Sequence, residues 1–515
     1  MRMGRLLSLL AALALLASAG APSAHAAYSV GHPRLRSIWV DPHHGRDSRS
    51  GTSRHTALRT LTAAWRRVPE GRTLRGHGYR ILLARGRYPD GDTPVYWESR
   101  HGTRAAPVIV QAADGPGTAV LSNMNVFDAS YFYVLGVGLH ARGGDVFHCE
   151  RCDHLLLRHM TIRGNRQDSQ EGVKVNQSRH VYLERSDVSG ANDNAVDFVA
   201  VQHGYLLRNR VHDSQDWCGY AKGGSAYLRV ESNEFFRCGT GGYTVGQGSG
   251  LQWMRSPWIH YEAYDVKVYD NVVHDTEGAG LGVNGGYDVL LAYNTLYRVG
   301  RRSHGIEVGF GSRSCDGQPG EPRRERCASL LSAGGWGTTR VDDGNNYVRI
   351  PNRHVFVYDN LLYDPPGYRS PDQHFDIPAP FAGAEQSGSG APEPARADAD
   401  LRIRGNLIWN GPRDLPLGVG DGAGCADSDP TCNARQLRRD NEINSLRPQL
   451  ADPVHGRFWP RRGGNVGRTR GRSIPRFGWS DVPARPKVPR GNLSNRIMRT
   501  RGGIRRRGAG HPGAY

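Results

Sequence analysis

A short sequence pattern returns along the middle of the chain at a nearly constant interval. It starts with alternating apolar residues and ends with Asn, one variable residue and another apolar residue, as in the Leu-Leu-Arg-Asn-Arg-Val of residues 206–211. Six asparagines hold the same place in the pattern: Asn209, Asn233, Asn271, Asn294, Asn360 and Asn406. Ser186 and Met160 hold it in two earlier copies. Such a repeat indicates a solenoid in which each copy is one structural unit.

The interval between copies identifies the unit. Ser186 and Asn209 are 23 residues apart, and Asn209 and Asn233 are 24 apart. Asn271 and Asn294 are again 23 apart, which is about one coil of a parallel β-helix. The apolar residues alternate with a period of two, which excludes helical repeats. We therefore predict an all-β, right-handed parallel β-helix in which the Asn side chains stack at a turn from coil to coil.

A second family of strands precedes each Asn by 11 residues. Alternation predicts that six of its residues face the interior: Val173, Val175, Val196, Phe198, Leu281 and Val283. Lys174 and Asp197 then stack on the outer face. Counting back from Asn233 places Lys222 at an inward position, unless a bulge or a turn at Gly223-Gly224 redirects it.

Breaks in the period predict loops, because extra residues must leave the coil. Asn233 and Asn271 are 38 residues apart, which predicts an insertion over 246–262. Asn294 and Asn360 are 66 apart, which predicts a longer one over 312–351. Residues 365–400 are rich in Pro, Gly, Ala and Ser and are expected to form another long loop.

The N-terminal part of the chain predicts an export signal followed by a cap. Residues 1–26 combine Arg2 and Arg5, an apolar run and an Ala-His-Ala cleavage site, so we expect a secreted protein that begins at Ala27. No later stretch is long enough to span a membrane. Four apolar residues recur with helical spacing over 58–68, which predicts a helix that caps the solenoid: Leu58, Leu61, Trp65 and Val68.

These features divide the chain into segments. The cap and first coils are expected over 27–125, the main β-helix over 126–410, a closing region over 411–460 and a basic segment over 461–515. The net charge of +18 is concentrated in that last segment, which has 15 Arg or Lys and one acid. The basic segment predicts contact with an anionic glycan, contact with nucleic acid or a solubilising tail. Export and the lack of a recognisable module argue against nucleic acid, and a monomer is expected.

The eight cysteines form four local groups: Cys149/Cys152, Cys218/Cys238, Cys315/Cys327 and Cys425/Cys432. In an exported protein this grouping favours four short-range disulfides. A zinc site on Cys149 and Cys152 is the alternative, but no matching pair follows at zinc spacing.

The opening segments, Ile38-Trp39-Val40-Asp41 and residues 81–88, resemble the N-terminal cap of secreted proteins in the pectate-lyase-like β-helix superfamily. The resemblance covers roughly residues 38–408. It implies action on an extracellular polysaccharide by way of an outer strand face walled by inserted loops. The 246–262 insertion contains the residues for such a wall, with predicted substrate contacts at Gln247, Trp253, Arg255, Trp258 and Tyr261, and proton-transfer groups at His260 and Glu262.

Lyases of this superfamily remove the C5 proton of a uronate, which requires a base and a neutralised carboxylate. The resemblance implies Lys222 as the base and Lys174 as a substrate contact. Residues 222–233 are loosely similar to a stretch of alginate and chondroitin lyases, although Val-Gly-Gln-Gly at 245–248 stands where that family has Arg-His-Gly. Four aspartates are candidate calcium ligands: Asp193, Asp197, Asp213 and Asp216.

Two other functions remain open. A glycoside hydrolase needs two carboxylates at a fixed separation, and Glu262 with Glu307 or Asp197 is a candidate pair. The only adjacent aspartates, Asp342 and Asp343, lie in the long insertion. The alternative outside catalysis is a glycan-binding or cell-surface protein that uses the Trp-rich loop and the basic segment.

Overall fold

The chain coils into a parallel β-helix with three long sheets, as the repeat predicts. The computed structural model describes residues 27–141, 143–340, 347–478 and 494–515, so the predicted signal segment and the Asp342-Asp343 pair lie outside the described residues. Each inner coil contributes one strand to each sheet, and every strand pair within the three sheets is parallel. The cap and the closing region continue the same coils at the two ends.

Sheet 1 and sheet 2 each have twelve strands. The strands of sheet 1 are Leu35–Val40, Gly78–Leu83, Val108–Ala112, Ser130–Leu135, Asp153–Arg158, Arg179–Glu184, Gln202–Leu207, Ser225–Glu231, Ala263–Tyr269, Gly286–Ala292, Arg353–Tyr358 and Arg402–Arg404. The strands of sheet 2 are Gly86–Arg87, Ala119–Leu121, Gly138–His140, Thr161–Arg163, Asp187–Ser189, Arg210–His212, Glu234–Phe236, Val272–His274, Thr295–Tyr297, Leu361–Asp364, Leu407–Asn410 and Glu442–Ile443.

Sheet 3 has ten strands and carries the second strand family. Its strands are Trp97–Glu98, Met124–Phe127, Phe147–Glu150, Val173–Asn176, Val196–Val199, Trp217–Lys222, Gly241–Gly246, Leu281–Asn284, Ile306–Gly309 and Phe375–Asp376. Two small sheets lie outside the coil, one of Gly248–Gly250, Gly311–Ser314 and Val348–Ile350, the other of Leu450–Asp452 and Arg457–Pro460. The α-helices are Leu61–Trp65, Pro322–Ser332 and Ala434–Asp440. Single 3-10 turns occupy Asp90–Asp92, Leu251–Trp253, Ala384–Gln386, Pro453–His455 and Val466–Arg468.

The interior of the solenoid is filled by the residues that alternation assigns to it. All six predicted inward residues of sheet 3, from Val173 to Val283, are fully buried in one continuous apolar core. The capping residues Leu58, Leu61, Trp65 and Val68 join the same core. The predicted helix over 58–68 is too long, however: it begins at Leu61 because the Thr60 side chain caps it, and Leu58 bridges to Val40 instead.

The predicted Asn stack is present and forms the turn between sheets 1 and 2. The Oδ1 atom of each Asn accepts hydrogen bonds from the backbone N–H and the side-chain amide of the Asn one coil before it, as between Asn209 and Asn233 at 2.9 and 3.0 Å. The same contacts link the stack from Asn233 to Asn406 and end on Asn441. Ser186 takes part through its hydroxyl, which accepts from the Met160 N–H at 3.1 Å.

Removal of one amide from this stack is expected to destabilise the whole solenoid. Asn271→Ala leaves the Asn233 N–H and the Val230 carbonyl without their buried partners. Because each buried unpaired polar group costs about 1–3 kcal/mol, we expect a loss of about 3 kcal/mol in the free energy of unfolding, measured by denaturant titration. Asn271→Ser should lose less, since a hydroxyl already serves this turn at Ser186; equal losses in both variants would contradict this explanation.

The loops leave the coil close to the predicted positions, and the four predicted disulfides are formed. Cys218 bonds to Cys238 and Cys315 to Cys327, and the pairs Cys149–Cys152 and Cys425–Cys432 are also closed. The Cys315–Cys327 bond ties the Pro322–Ser332 helix to the end of the strand Gly311–Ser314, and both cysteines pack with Leu251 of the 3-10 turn in one small apolar cluster. The two insertions therefore pack on each other beside sheet 3.

The described part of the basic segment docks on the coils. Arg506 forms a buried ion pair with Asp270 at 2.6 Å, and the Tyr293 hydroxyl donates to the Ala509 carbonyl at 2.8 Å. The Ala514 N–H donates to Thr295 at 3.0 Å, which fixes the C-terminal end on sheet 2. Among the described helices, none has the length and apolar content that a membrane crossing requires.

Candidate functional site

The outer face of sheet 3 brings polar residues from consecutive coils into one row. Strand register aligns His148, Lys174, Asp197, Tyr220 and Thr244 side by side. Since neighbouring parallel strands are about 4.8 Å apart, residues that are more than 20 positions apart in the chain become direct neighbours. The predicted stack of Lys174 on Asp197 is confirmed, with 3.5 Å between the ammonium nitrogen and a carboxylate oxygen.

Lys222 also faces outward, and the simple count that placed it inside is wrong. Ala221 pairs with the inward Phe198, and Lys222 pairs with Val199 in the next outward row. The reason is the corner at Gly223 and Gly224, which absorbs one extra residue before the next strand. Both glycines have positive φ, +66° and +80°, and a Cβ on Gly224 would lie 2.2 Å from a backbone oxygen.

The Lys222 ammonium group lies between two neutral groups. It donates to the Gln247 side-chain oxygen at 3.1 Å and lies 4.3 Å from the centre of the Tyr220 ring. Within the described part of the chain, no carboxylate is within ion-pair distance of it. The Lys222 side chain therefore lines the groove, and its amino group forms no ion pair with a carboxylate of the described residues.

Lys174 is in the opposite situation, because two buried acids hold it. Its ammonium group lies 3.0 Å from Glu171, whose second oxygen is buried without a partner. Burial disfavours the charged amine, but attraction to Asp197 and Glu171 outweighs this and raises the pKa of Lys174. Burial, a hydrogen bond with Asp145 and the charge of Asp197 raise the pKa of Glu171. Lys174 is thus a fixed cation at the bottom of the groove.

The 246–262 loop forms one wall of the groove, as predicted. A cavity of about 450 Å³ lies between this wall and the strands, and Lys174, Lys222 and Trp253 all line it. Trp253 is the exposed aromatic residue of the loop, and its indole N–H donates to Asp316 at 3.1 Å. Trp253 therefore contributes an aromatic side chain to the wall of the cavity.

A second cavity of about 610 Å³ continues the groove past Trp253 and is strongly cationic. Four arginines line it: Arg151, Arg255, Arg323 and Arg326. Burial, then repulsion from Arg151 and Arg326, lowers the pKa of Arg255, whose guanidinium donates to Gln177 at 3.0 Å. The concentration of positive charge favours an anionic ligand along this part of the groove.

Two other predicted substrate contacts are not open to a ligand. Trp258 and Tyr261 are buried in an aromatic cluster with Tyr264 and Trp336, at ring distances of 4.9 to 5.7 Å. They fix the loop on sheet 1 instead of facing the groove. The prediction that they contact substrate is therefore wrong, because the loop needs an apolar underside of its own.

His260 and Glu262 are likewise buried, so the expectation that both are accessible for proton transfer is wrong. The His260 ring hydrogen-bonds to the Gly334 carbonyl at 3.0 Å, and burial lowers its pKa. Glu262 is fully buried against the equally buried Arg313, at 2.6 Å. Its other oxygen accepts from the Gly223 N–H at 2.8 Å and from Ser249 at 2.7 Å. Glu262 thus joins the loop to the corner that turns Lys222 outward.

The four predicted calcium ligands do not converge on one site. Asp213 is held by Arg237 and His212 at a sheet corner, and Asp197 is buried beneath Lys174. Asp193 accepts from Asn194 at 2.6 Å. Within the described residues, no three of these carboxylates lie close enough to share an ion, whereas calcium takes six to eight oxygen ligands. The residues present do not fit calcium at this position.

Several groove residues escaped sequence reasoning. His148, Asn176 and Gln177 line the 450 Å³ cavity, and Asp316 reaches it from the second insertion. The signal was present for the first two, since they occupy the rows of Lys174 and Lys222 one or two coils earlier. The position of Asp316 was not predictable in this way, because the repeat does not determine where the residues of an inserted loop lie.

Comparison with known proteins agrees with the architecture. Residues 145–316 match the family model of the right handed beta helix region. No curated protein gives a significant sequence match. A rhamnogalacturonan lyase structure is 10% identical over 72% of this chain and 87% of its own, with a TM-score of 0.43. Pectate lyase Pel9A is 14% identical over 79% and 97%, with a TM-score of 0.41.

A third similar structure is a PL6 family polysaccharide lyase from Pseudopedobacter saltans. It is 12% identical over 78% of this chain and 95% of its own, with a TM-score of 0.37. At such identities the likeness concerns the fold alone. The chain is therefore a right-handed parallel β-helix protein, with a groove lined by Lys174, Lys222 and Trp253 on its third sheet.

Proposed function

We propose that this protein is a secreted polysaccharide lyase that cleaves a uronate-containing chain by β-elimination in the groove of sheet 3. The observation that carries the proposal is the position of Lys222: its outward amine lines the same cavity as Lys174 and Trp253, with no carboxylate within ion-pair distance in the described chain. β-Elimination needs a base that reaches C5, and it needs positive charge at the neighbouring carboxylate. The groove offers both functions on adjacent rows of one rigid sheet.

Lys222 is the proposed base. It takes the C5 proton onto its amine nitrogen, the electron pair forms the C4–C5 double bond, and the glycosidic oxygen leaves from C4. Only the neutral amine is able to accept that proton. Gln247 and the Tyr220 ring hold the side chain in place, and both contacts leave the amine without a carboxylate partner.

Lys174 is the proposed partner of the uronate carboxylate. Attraction to Asp197 and Glu171 outweighs burial and raises the pKa of Lys174, which favours its cationic form. The leaving oxygen needs a proton, and His148, which lines the cavity in the same row as Lys174, is the candidate donor. The arginines of the adjoining cavity hold further acidic sugars of the chain, with Trp253 between the two cavities.

Hydrolysis is the second candidate, and one feature favours it. Glu171 has a raised pKa and lies near Asp197, which resembles an acid and a carboxylate with separated roles. Both are buried, however, beneath the Lys174 ammonium group. A sugar on the groove meets Lys174 before it meets either acid, and Glu262 is unable to form the predicted pair because Arg313 occupies it. Elimination therefore fits the geometry better.

Product analysis distinguishes the candidates. Purified protein is incubated with polygalacturonate, alginate and chondroitin, and the products are followed by ultraviolet absorbance and by reducing-end assay. We expect cleavage of at least one polymer with one unsaturated C4–C5 end for each new reducing end. New reducing ends without absorbance would replace the proposal by hydrolysis, and binding without cleavage of any acidic polymer would replace it by a non-catalytic role.

A further inference from the structure

The C-terminal segment builds a second cationic surface that the proposed reaction does not use. Residues 461–478 and 494–515 contain twelve arginines and no acidic residue. They dock on sheets 1 and 2, whereas the groove is on sheet 3. Repulsion between so many like charges on an ordered surface destabilises the fold, unless a bound anion or a buried ion pair offsets it.

One arginine of this segment has a structural role. Arg506 is buried, pairs with Asp270 at 2.6 Å, and its guanidinium carbon lies 4.0 Å from the centre of the Tyr293 ring. Its contacts fix the backbone of the flanking residues. Arg505 and Arg507 are consequently presented to solvent on either side of a rigid point.

The arginines around this point converge on a cleft. Arg468, Arg470, Arg505 and Arg507 line a cavity of about 350 Å³ together with His511, and none of its lining residues is acidic. In the described chain, none of these four arginines has a carboxylate within ion-pair distance. The cleft continues through residues 468–470 into a cavity of about 690 Å³, where the side chain of Asp440 is bonded to Arg439 at 2.9 Å.

We propose that this cleft binds a linear acidic polysaccharide at a site separate from the groove. Arginine binds carboxylate and sulfate groups through two parallel hydrogen bonds, and a row of arginines suits a chain with an anion on each unit. The four disulfides are compatible with a compartment outside the cytoplasm, which favours a polysaccharide over nucleic acid as the polyanion. The surface would keep the protein attached to an anionic matrix while the groove remains free.

The test compares two triple variants of the full chain for heparin binding. We expect R470A/R505A/R507A to elute from immobilised heparin at lower salt and to lose about tenfold or more in affinity for a heparin oligosaccharide. The matched control R72A/R75A/R104A removes three exposed arginines from the opposite end and should bind as wild type. R505E/R507E is the second test variant, and melting temperatures check that each variant is folded.

Three results would overturn the proposal: unchanged binding by the folded cleft variants, an equal loss in the control triple, or tighter binding of a DNA oligonucleotide than of heparin. Cleavage in the groove is measured in parallel and should be unchanged in the cleft variants. Failure of this proposal is thereby distinguishable from failure of the proposed lyase reaction.

Discussion

Lys222→Met is expected to lower kcat for cleavage of the acidic polymer by roughly 10³-fold, with KM nearly unchanged. Methionine keeps most of the length of the side chain, but it removes the nitrogen that receives the C5 proton and that contacts Gln247 and the Tyr220 ring. Loss of a general base typically costs 10²- to 10⁴-fold in rate. The measurement is the initial rate of ultraviolet absorbance at several substrate concentrations.

Arg255→Met is the matched control, because it also replaces a cation of the groove by an apolar side chain. Since Arg255 lies in the adjoining cavity, its loss should raise KM and leave most of kcat. A Lys222→Met protein with wild-type kcat would exclude Lys222 as the base. Equal losses of kcat in both variants would indicate that Lys222 is one of several cations that bind the substrate, and not the base.

Glu262→Ala is expected to lower the free energy of unfolding by about 4 kcal/mol. Removing one member of a buried ion pair leaves the other as an uncompensated charge, which costs about 3–5 kcal/mol. Arg313 and Glu262 are both fully buried, so water is unable to replace the lost carboxylate without local opening. The loss is measured by denaturant titration, with hydrogen exchange to locate the loosened region at the 246–262 loop.

The double variant Glu262→Leu/Arg313→Met is the control for this prediction. It removes both charges, and we expect it to be more stable than Glu262→Ala, since a buried pair is often replaceable by apolar residues at little cost. If Glu262→Ala were as stable as wild type but inactive, the carboxylate would act in catalysis, as the sequence alone suggested. In the structure, Glu262 instead connects the 246–262 loop to Gly223 and Arg313.

The periodic part of the molecule was predictable because local rules decide it. The position of each Asn follows from one turn that every coil repeats, and alternation then determines that Val173 is inside and Lys174 outside. Such features need only the period and the polarity of each residue. The cysteine groups were equally readable, because each disulfide closes a short loop.

The site was only partly predictable, because its walls break the period. Lys222 was placed wrongly by one residue, since the spacing of the asparagines does not show where within a coil an extra residue is absorbed. The structure shows that the extra residue lies at the corner formed by Gly223 and Gly224, which both have positive φ. In the 246–262 loop, sequence gave no means of telling Trp253 at the surface from Trp258 underneath. The same limit applied to Glu262, whose buried partner Arg313 is 51 positions away.

The proposed reaction requires the polymer to bind on the outer face of sheet 3, with its reacting sugar at Lys222. A crystal structure of the Lys222→Met protein with an acidic hexasaccharide from a cleaved polymer tests it most directly. We expect one uronate stacked on Trp253, its carboxylate at Lys174 and its C5 hydrogen directed at the position of the lost amine, about 3–3.5 Å away. A hexasaccharide bound only at the C-terminal cleft, or bound in the groove with C5 facing away from residue 222, would contradict it.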